Sequence, residues 1–253
     1  MKSKSQVLFI WLGGFFIANV LLAEFIGVKI FSLEMTLGFD PLAIRILGYD
    51  LSLSMTAGVL LWPVVFVMTD IINEYYGKRG VKLLSYLAAG LIGYSFLMIY
   101  LSIYLVPADW WPTSQQANGV ANMQNSFKAI FGQSNWIIIA SLVAFLIGQF
   151  IDVTVFHKLR KITGENKIWL RATGSTLVSQ LIDSFVVLFI AFKIGADWPL
   201  SKVLAIGIVN YAYKFVVAIA LTPVLYWAHN LIDLYLGKEE SDRLMAEAAA
   251  QQD

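Results

Sequence analysis

The sequence predicts an all-α integral membrane protein, a bundle of six transmembrane helices with both termini cytoplasmic. Three observations carry that expectation. Of 253 residues, 58% are hydrophobic and only 14% charged, with a mean hydropathy of +0.70, more apolar surface than a water-exposed domain can bury. Six stretches are long enough to cross a hydrocarbon core, which takes about 20 residues of helix. Lys and Arg gather at alternate ends of those stretches.

In chain order, Lys2 and Lys4 precede an apolar run over 6–23, and no small-x-small pattern precedes Glu24, so the run reads as a retained first helix rather than a leader. Glu24 and Lys29 read as outer-interface residues whose stems can snorkel, and Asn19 as deeper and lining. Residues 31–50 carry Gly, Asp and Pro and read as an outer loop with a short hairpin. Spans two and three cover 51–69 and 83–108. PADWWP then places Trp110, Trp111 and Pro112 at an aromatic belt, followed by an Asn/Gln-rich outer loop. Span four covers 129–151. Span five, 172–192, contains only Asp183 among charged residues, and span six, 203–232, only Lys214. Pro63 and Pro223 are expected to kink spans two and six. Residues 1–237 form a single domain, and 238–253 a polar cytoplasmic tail with helical propensity.

An N-in orientation places Lys2, Lys4, Lys78, Arg79, Lys82, Lys158, Arg160, Lys161, Lys167, Arg171, Lys238 and Arg243 inside. Lys29, Arg45, Lys128, Lys193 and Lys202 fall outside, and Lys214 within the membrane. The bias favours cytoplasmic termini in a multi-pass membrane protein.

Composition also excludes chemistry. There are no cysteines, so no disulfide, thiolate nucleophile or Cys-ligated metal. Two histidines, His157 and His229, cannot build a multi-His metal site and read as interface residues. P-loop, H-E-x-x-H and G-x-S-x-G patterns are absent, and Asp70, Asp152 and Asp183 lack a glycine-flanked protease context. No catalytic residue, metal or cofactor is expected. A net charge of +1 gives no argument for nucleic acid. The lipid bilayer and a small-molecule substrate are the expected partners, with homo-oligomerisation left open. Gly14-x-x-x-Ala18 is a small-xxx-small contact suited to docking a partner helix.

A charged side chain near the bilayer centre costs about 2.5–3.5 kcal/mol on insertion scales, so each one asks for a reason. Asp183 lies twelve residues past Arg171 and Lys214 twelve past Lys202, about 18 Å from the starting interface in antiparallel spans. At matched depth they form a buried pair, which either fixes packing or serves a ligand. In TDIINEYYG, Asp70, Asn73 and Glu74 share one helical face, a polar ligand surface or a solvated helix end. GQFID and SQLID each set Gln and Asp three apart, and Gln149, Asp152, Gln180 and Asp183 offer amides and carboxylates suited to the edge of a heterocyclic base. Tyr75, Tyr76, Tyr211, Tyr213, Phe150 and Phe185 are the aromatic neighbours able to stack on such a ring, with Tyr211 one turn before Lys214.

TDIINEYYGKR, GQFIDVTVFHKLR, STLVSQLIDSFVVLFIAF and the YxYKFVVAIALTP segment, in that order across 55–235, resemble the queuosine precursor transporter family, also described among vitamin uptake transporters. The resemblance implies six spans and uptake of deazaguanines such as 7-cyano-7-deazaguanine and 7-aminomethyl-7-deazaguanine. The substrate site expected on both grounds is Asp70, Asn73, Glu74, Gln149, Asp152, Gln180, Asp183, Tyr211 and Lys214. A stand-alone, proton-coupled secondary transporter is the leading expectation. The alternatives are a substrate-binding subunit of an energy-coupling-factor importer, which borrows a coupling ATPase, and an intramembrane enzyme.

Overall fold

A computed structural model describes residues 3–133, 135–163 and 168–250. Lys2 and Lys167, both used in the charge tally, lie outside the described residues. The chain is helical almost throughout, in nine α-helices among the described residues: α1 Lys4–Ile26, α2 Leu33–Thr36, α3 Trp62–Ile103, α4 Met123–Phe131, α5 Asn135–Thr163, α6 Ile168–Leu188, α7 Leu200–Ala220, α8 Thr222–Leu236 and α9 Lys238–Ala250. Five helical stretches are long and apolar enough to cross a membrane: Lys4–Ile26, Trp62–Ile103, Met123–Thr163, Trp169–Ile194 and Leu200–Ala220.

The 42 residues of α3 would reach about 63 Å if straight, twice a hydrocarbon core. They do not run straight. Gly77 has φ 65 and ψ −170, a conformation reserved for glycine, and the helix folds back there. Thr69 and Ser85, eight residues to either side of Gly77, both donate to the Oε1 of Gln149. Along α1 the first arm descends, from Gly58 against the Ala23 carbonyl to Tyr76 against Phe9. The second arm climbs back, with Leu84 against Gly13 and Phe96 against Phe25. Small residues at such crossings allow the close approach on which helix association in lipid depends.

Several boundaries differ from expectation. Residues 51–61 were expected to begin span two, but Leu51 closes a strand and the helix starts only at Trp62. Pro63 sits in the first turn, where its missing N–H is no loss, so it starts the helix instead of kinking it. Pro223 occupies the same place in α8 and divides expected span six at Leu221. The Asn/Gln-rich outer segment contains α4, whose N-terminus is capped by Asn122 accepting from the Asn125 N–H. Phe189–Ile194 extends α6 as a π-helical turn.

The segment between α1 and α3 does contain the expected hairpin. β2 (Ile44–Ile46) pairs with β3 (Tyr49–Leu51), and β1 (Ile30–Ser32) with β4 (Ser54–Thr56), both antiparallel. Glu34 organises the loop, its carboxylate accepting from Leu53 N–H at 2.6 Å, the Ser32 hydroxyl at 2.9 Å and Leu42 N–H at 3.4 Å. Burial raises this carboxyl, but the donors outweigh burial and hold it below its ordinary 4.5.

At the opposite end, the segment read as a polar tail is helical as α9 and packs on α3 and α8. Ser241, Leu244 and Ala248 are buried. Ser241 donates to Asp233 at 2.5 Å, Tyr75 donates to the same oxygen at 2.8 Å, and the Arg160 guanidinium donates to the Met245 carbonyl at 3.0 Å.

Candidate functional site

A cleft runs between the first arm of α3, α6 and the α7–α8 junction. Its walls are helical stripes. Val59, Trp62, Phe66 and Asp70 come from the α3 side, Ala172, Thr173, Thr176 and Gln180 from α6, Lys214, Ala218 and Leu221 from α7, and Thr222 and Leu225 from α8. Open mouth included, it holds about 490 Å³ of atom-free space. Trp62 and Phe66 are the large planar side chains of its α3 wall.

Asp70 is 5% exposed and accepts from Thr176 Oγ1 at 3.2 Å and Ser175 Oγ at 3.4 Å. Asp152, fully buried, accepts from Ser179 Oγ at 3.1 Å through one oxygen, and its other oxygen has no partner within the protein. Gln149 spends its carbonyl on Thr69 and Ser85 at 3.2 and 3.3 Å, leaving its amide nitrogen without a partner. The Gln180 amide nitrogen, on the cleft wall, is also unpartnered, as are both polar atoms of fully buried Asn73. A buried amide without a partner costs about 1–3 kcal/mol, and this polar seam between α3, α5 and α6 is left unsatisfied by the protein's own groups.

Burial removes the solvated-helix-end alternative for Asp70, Asn73 and Glu74. It also separates them. Glu74 is held by Arg171 through two hydrogen bonds, 2.5 and 3.0 Å, with Arg160 at 3.4 Å. Arg171 is itself fully buried, its guanidinium 5.9 Å from the Phe156 ring centroid. Both arginines, counted on the inner side in the orientation argument, lie within α5 and α6 rather than in the segment between them. Both sit inside the protein because Glu74 needs a cation there. Glu74 is thus bound to the fold and lies off the cleft.

Asp183 and Lys214 do meet, Nζ to Oδ2 at 2.6 Å, with side chains 21% and 14% exposed. GQFID and SQLID face one another across α5 and α6, Gly148 beside Asp183 and Asp152 beside Ser179. Of the nine expected site residues, Asp70, Gln180 and Lys214 line the cleft. Asp183 backs it through Lys214. Asn73, Gln149 and Asp152 lie in the seam. Tyr211 packs edge-on against Phe215 on its own helix and does not line the cleft.

The other aromatic expectations also move. Tyr75 is engaged with Asp233 and His229, Tyr76 donates to the Ser5 carbonyl, and Phe150 is 59% exposed on the outer face of α5. Glu24, expected at an interface, is buried and accepts a hydrogen bond from Ser141. Arg171, Trp62 and Phe66 were missed. The hydroxyl stripe Ser175, Thr176 and Ser179 was the available sign that one face of α6 meets polar groups.

Apolar helices of membrane length around a largely apolar cleft that carries a few polar groups define a multi-pass membrane protein. The chain belongs to the vitamin uptake transporter family. It matches the family described as "Putative vitamin uptake transporter" over residues 56–228. It is 32% identical to a probable queuosine precursor transporter of Bacillus subtilis (strain 168) over 181 residues, 71% of this chain and 74% of that one. With the queuosine precursor transporter of Escherichia coli (strain K12) identity is 28% over 208 residues, 81% and 85% of the two chains. A probable queuosine precursor transporter of Haemophilus influenzae is 26% identical over 221 residues, 86% and 84%. No solved structure matches. These relatives are transporters by name, in keeping with the expectation of a chain that is not an enzyme.

Proposed function

We propose that this protein imports queuosine precursors, 7-cyano-7-deazaguanine and 7-aminomethyl-7-deazaguanine, across a bacterial inner membrane. The observation that carries the reading is Asp70 on the α3 wall of the cleft, in line with Trp62 and Phe66, with the unpartnered Gln180 amide nitrogen on the α6 wall. A guanine-like base offers adjacent N–H donors to a carboxylate, a carbonyl acceptor to an amide and a flat face to an aromatic ring. The names of the relatives support the same substrate class.

The proposed topology has six crossings, counting the two arms of α3 separately, with both termini cytoplasmic. Transport is secondary and proton-coupled, a role supported by Asp152 inside the bundle, one of whose oxygens has no partner within the protein. Feeding labelled precursor to cells that cannot make it, and reading label uptake and queuosine in tRNA, tests the proposal. Asp70→Asn should reduce uptake about tenfold, the worth of one charge-assisted hydrogen bond. Wild-type uptake of neither compound overturns the substrate, and undiminished uptake by Asp70→Asn overturns the site. Uptake that disappears in cells lacking energy-coupling ATPases replaces secondary transport with the energy-coupling-factor alternative.

A further inference from the structure

We propose that the Asp183–Lys214 pair is a two-way subsite for the substituent at the far end of the bound base, accepting either a neutral acceptor group or a primary ammonium. The inference rests on the reading of the cleft as a deazaguanine site and assigns the part of it that distinguishes one deazaguanine from another.

The α6 stripe sets the ruler. Thr176 bonds Asp70, Gln180 follows one turn later, and Asp183 comes seven residues after Thr176, all on one helical face. Seven residues of helix rise about 10 Å. That span matches a guanine-like bicycle plus a one-carbon substituent, measured from the ring edge that carries the amino group to the tip of the substituent. With the ring edge on Asp70, the tip reaches the pair.

The pair suits that task better than the other buried ion pair. Glu74 and Arg171 are each about 1% exposed and joined by two hydrogen bonds, a sealed structural contact. Asp183 and Lys214 share one contact, are 21% and 14% exposed, and the Lys214 side chain forms part of the cleft wall itself. A nitrile is an acceptor without charge. It takes a hydrogen bond from the Lys214 ammonium while Asp183 stays paired. An aminomethyl group is a cation at neutral pH. It takes the place of Lys214 at Asp183, and the lysine stem, anchored one turn before Ala218 on the same stripe, swings away. One pair of opposite charges thereby reads two substituents of opposite hydrogen-bonding character.

The test is a ratio, which cancels differences in folding and expression between variants. Uptake of 7-cyano-7-deazaguanine and 7-aminomethyl-7-deazaguanine is measured in the same cells for wild type, Asp183→Asn and Lys214→Met, with unsubstituted 7-deazaguanine as a third probe. In Asp183→Asn the aminomethyl-to-cyano ratio should fall about tenfold, and in Lys214→Met it should rise by a similar factor, the difference made by one charge-assisted hydrogen bond. The unsubstituted probe, which has no group to reach the pair, sets the baseline against which the two substituted compounds are read in each variant. Equal losses for all three probes mean that the pair holds helices together and does not touch the substituent, which overturns the inference while leaving the substrate class intact. Failure of wild type to take up any of the three overturns the underlying reading instead.

Discussion

Arg171 donates two hydrogen bonds to Glu74, Nη2 to Oε1 at 2.5 Å and Nε to Oε2 at 3.0 Å, and neither side chain meets solvent. Such a pair joins the first arm of α3 to α6 beneath the cleft. Removing one partner strands the other charge in the interior, at a cost of about 3–5 kcal/mol. Arg171→Met should therefore lower thermal stability in detergent sharply, and Glu74→Gln somewhat less, since the amide keeps one acceptor. A melting temperature unchanged by Arg171→Met contradicts the burial of this pair.

Gly77 makes the hairpin. Any side chain at φ 65 and ψ −170 strains the backbone by about 1–3 kcal/mol. Gly77→Ala should reduce the yield of folded protein and its melting temperature. Gly93→Ala, at a helical position with open space around it, should leave both near wild type. Equal behaviour of the two variants removes the reason given for the fold-back.

Much of this architecture was legible in the sequence, and the misses have common physical causes. The apolar runs, the outer hairpin and the matched depth of Asp183 and Lys214 follow from helix rise and the cost of charge in lipid, which act locally. The partner of Arg160 and Arg171 was not legible, because position relative to an apolar run cannot say whether a cation faces water or a buried carboxylate on another helix. Tyr211 and Trp62 exchange roles for a related reason. Closeness in sequence to Lys214 is not closeness to the cleft, and Trp62 reaches it only because Pro63 starts the helix there. A continuous uncharged stretch could not reveal that residues 51–61 pair as strand and turn.

The outer loop should depend on acidity. When unfolded, Glu34 titrates near 4.5, and when folded its three donors keep it ionised to a lower pH. Between those values the unfolded loop binds more protons, so stability is complete above the ordinary value and is lost as pH falls through the folded one. Amide exchange at Leu53 and Leu42, followed while acidifying the protein in detergent, should accelerate only below pH 4.5. Glu34→Gln should exchange faster at neutral pH and flatten the pH response. Acceleration that begins well above pH 4.5 contradicts the sign.

Helix α9 is part of the folded body. Leu244 packs with Ile71, Tyr75, Phe156 and Ile232, so Leu244→Ala should cost about 2–5 kcal/mol, the range for large-to-small changes in a packed core. Leu234→Ala, at a position 81% exposed, should be close to neutral. Thermal unfolding of both variants decides the matter, and indifference to Leu244→Ala would return this segment to the status of a solvated tail.

Asn73 presents a different balance. Its amide is fully buried with neither polar atom engaged, an arrangement that the fold alone has no reason to keep. Leucine has a similar size and leaves nothing unsatisfied, so Asn73→Leu should raise stability by about 1–3 kcal/mol. If the unsatisfied amide is kept for solute passing through the seam between α3, α5 and α6, the same variant should lose uptake while melting at a higher temperature. Stability and transport moving in opposite directions is the expected result, because destabilising polar groups persist where a ligand completes them. A variant that is both more stable and fully active assigns Asn73 no part in transport.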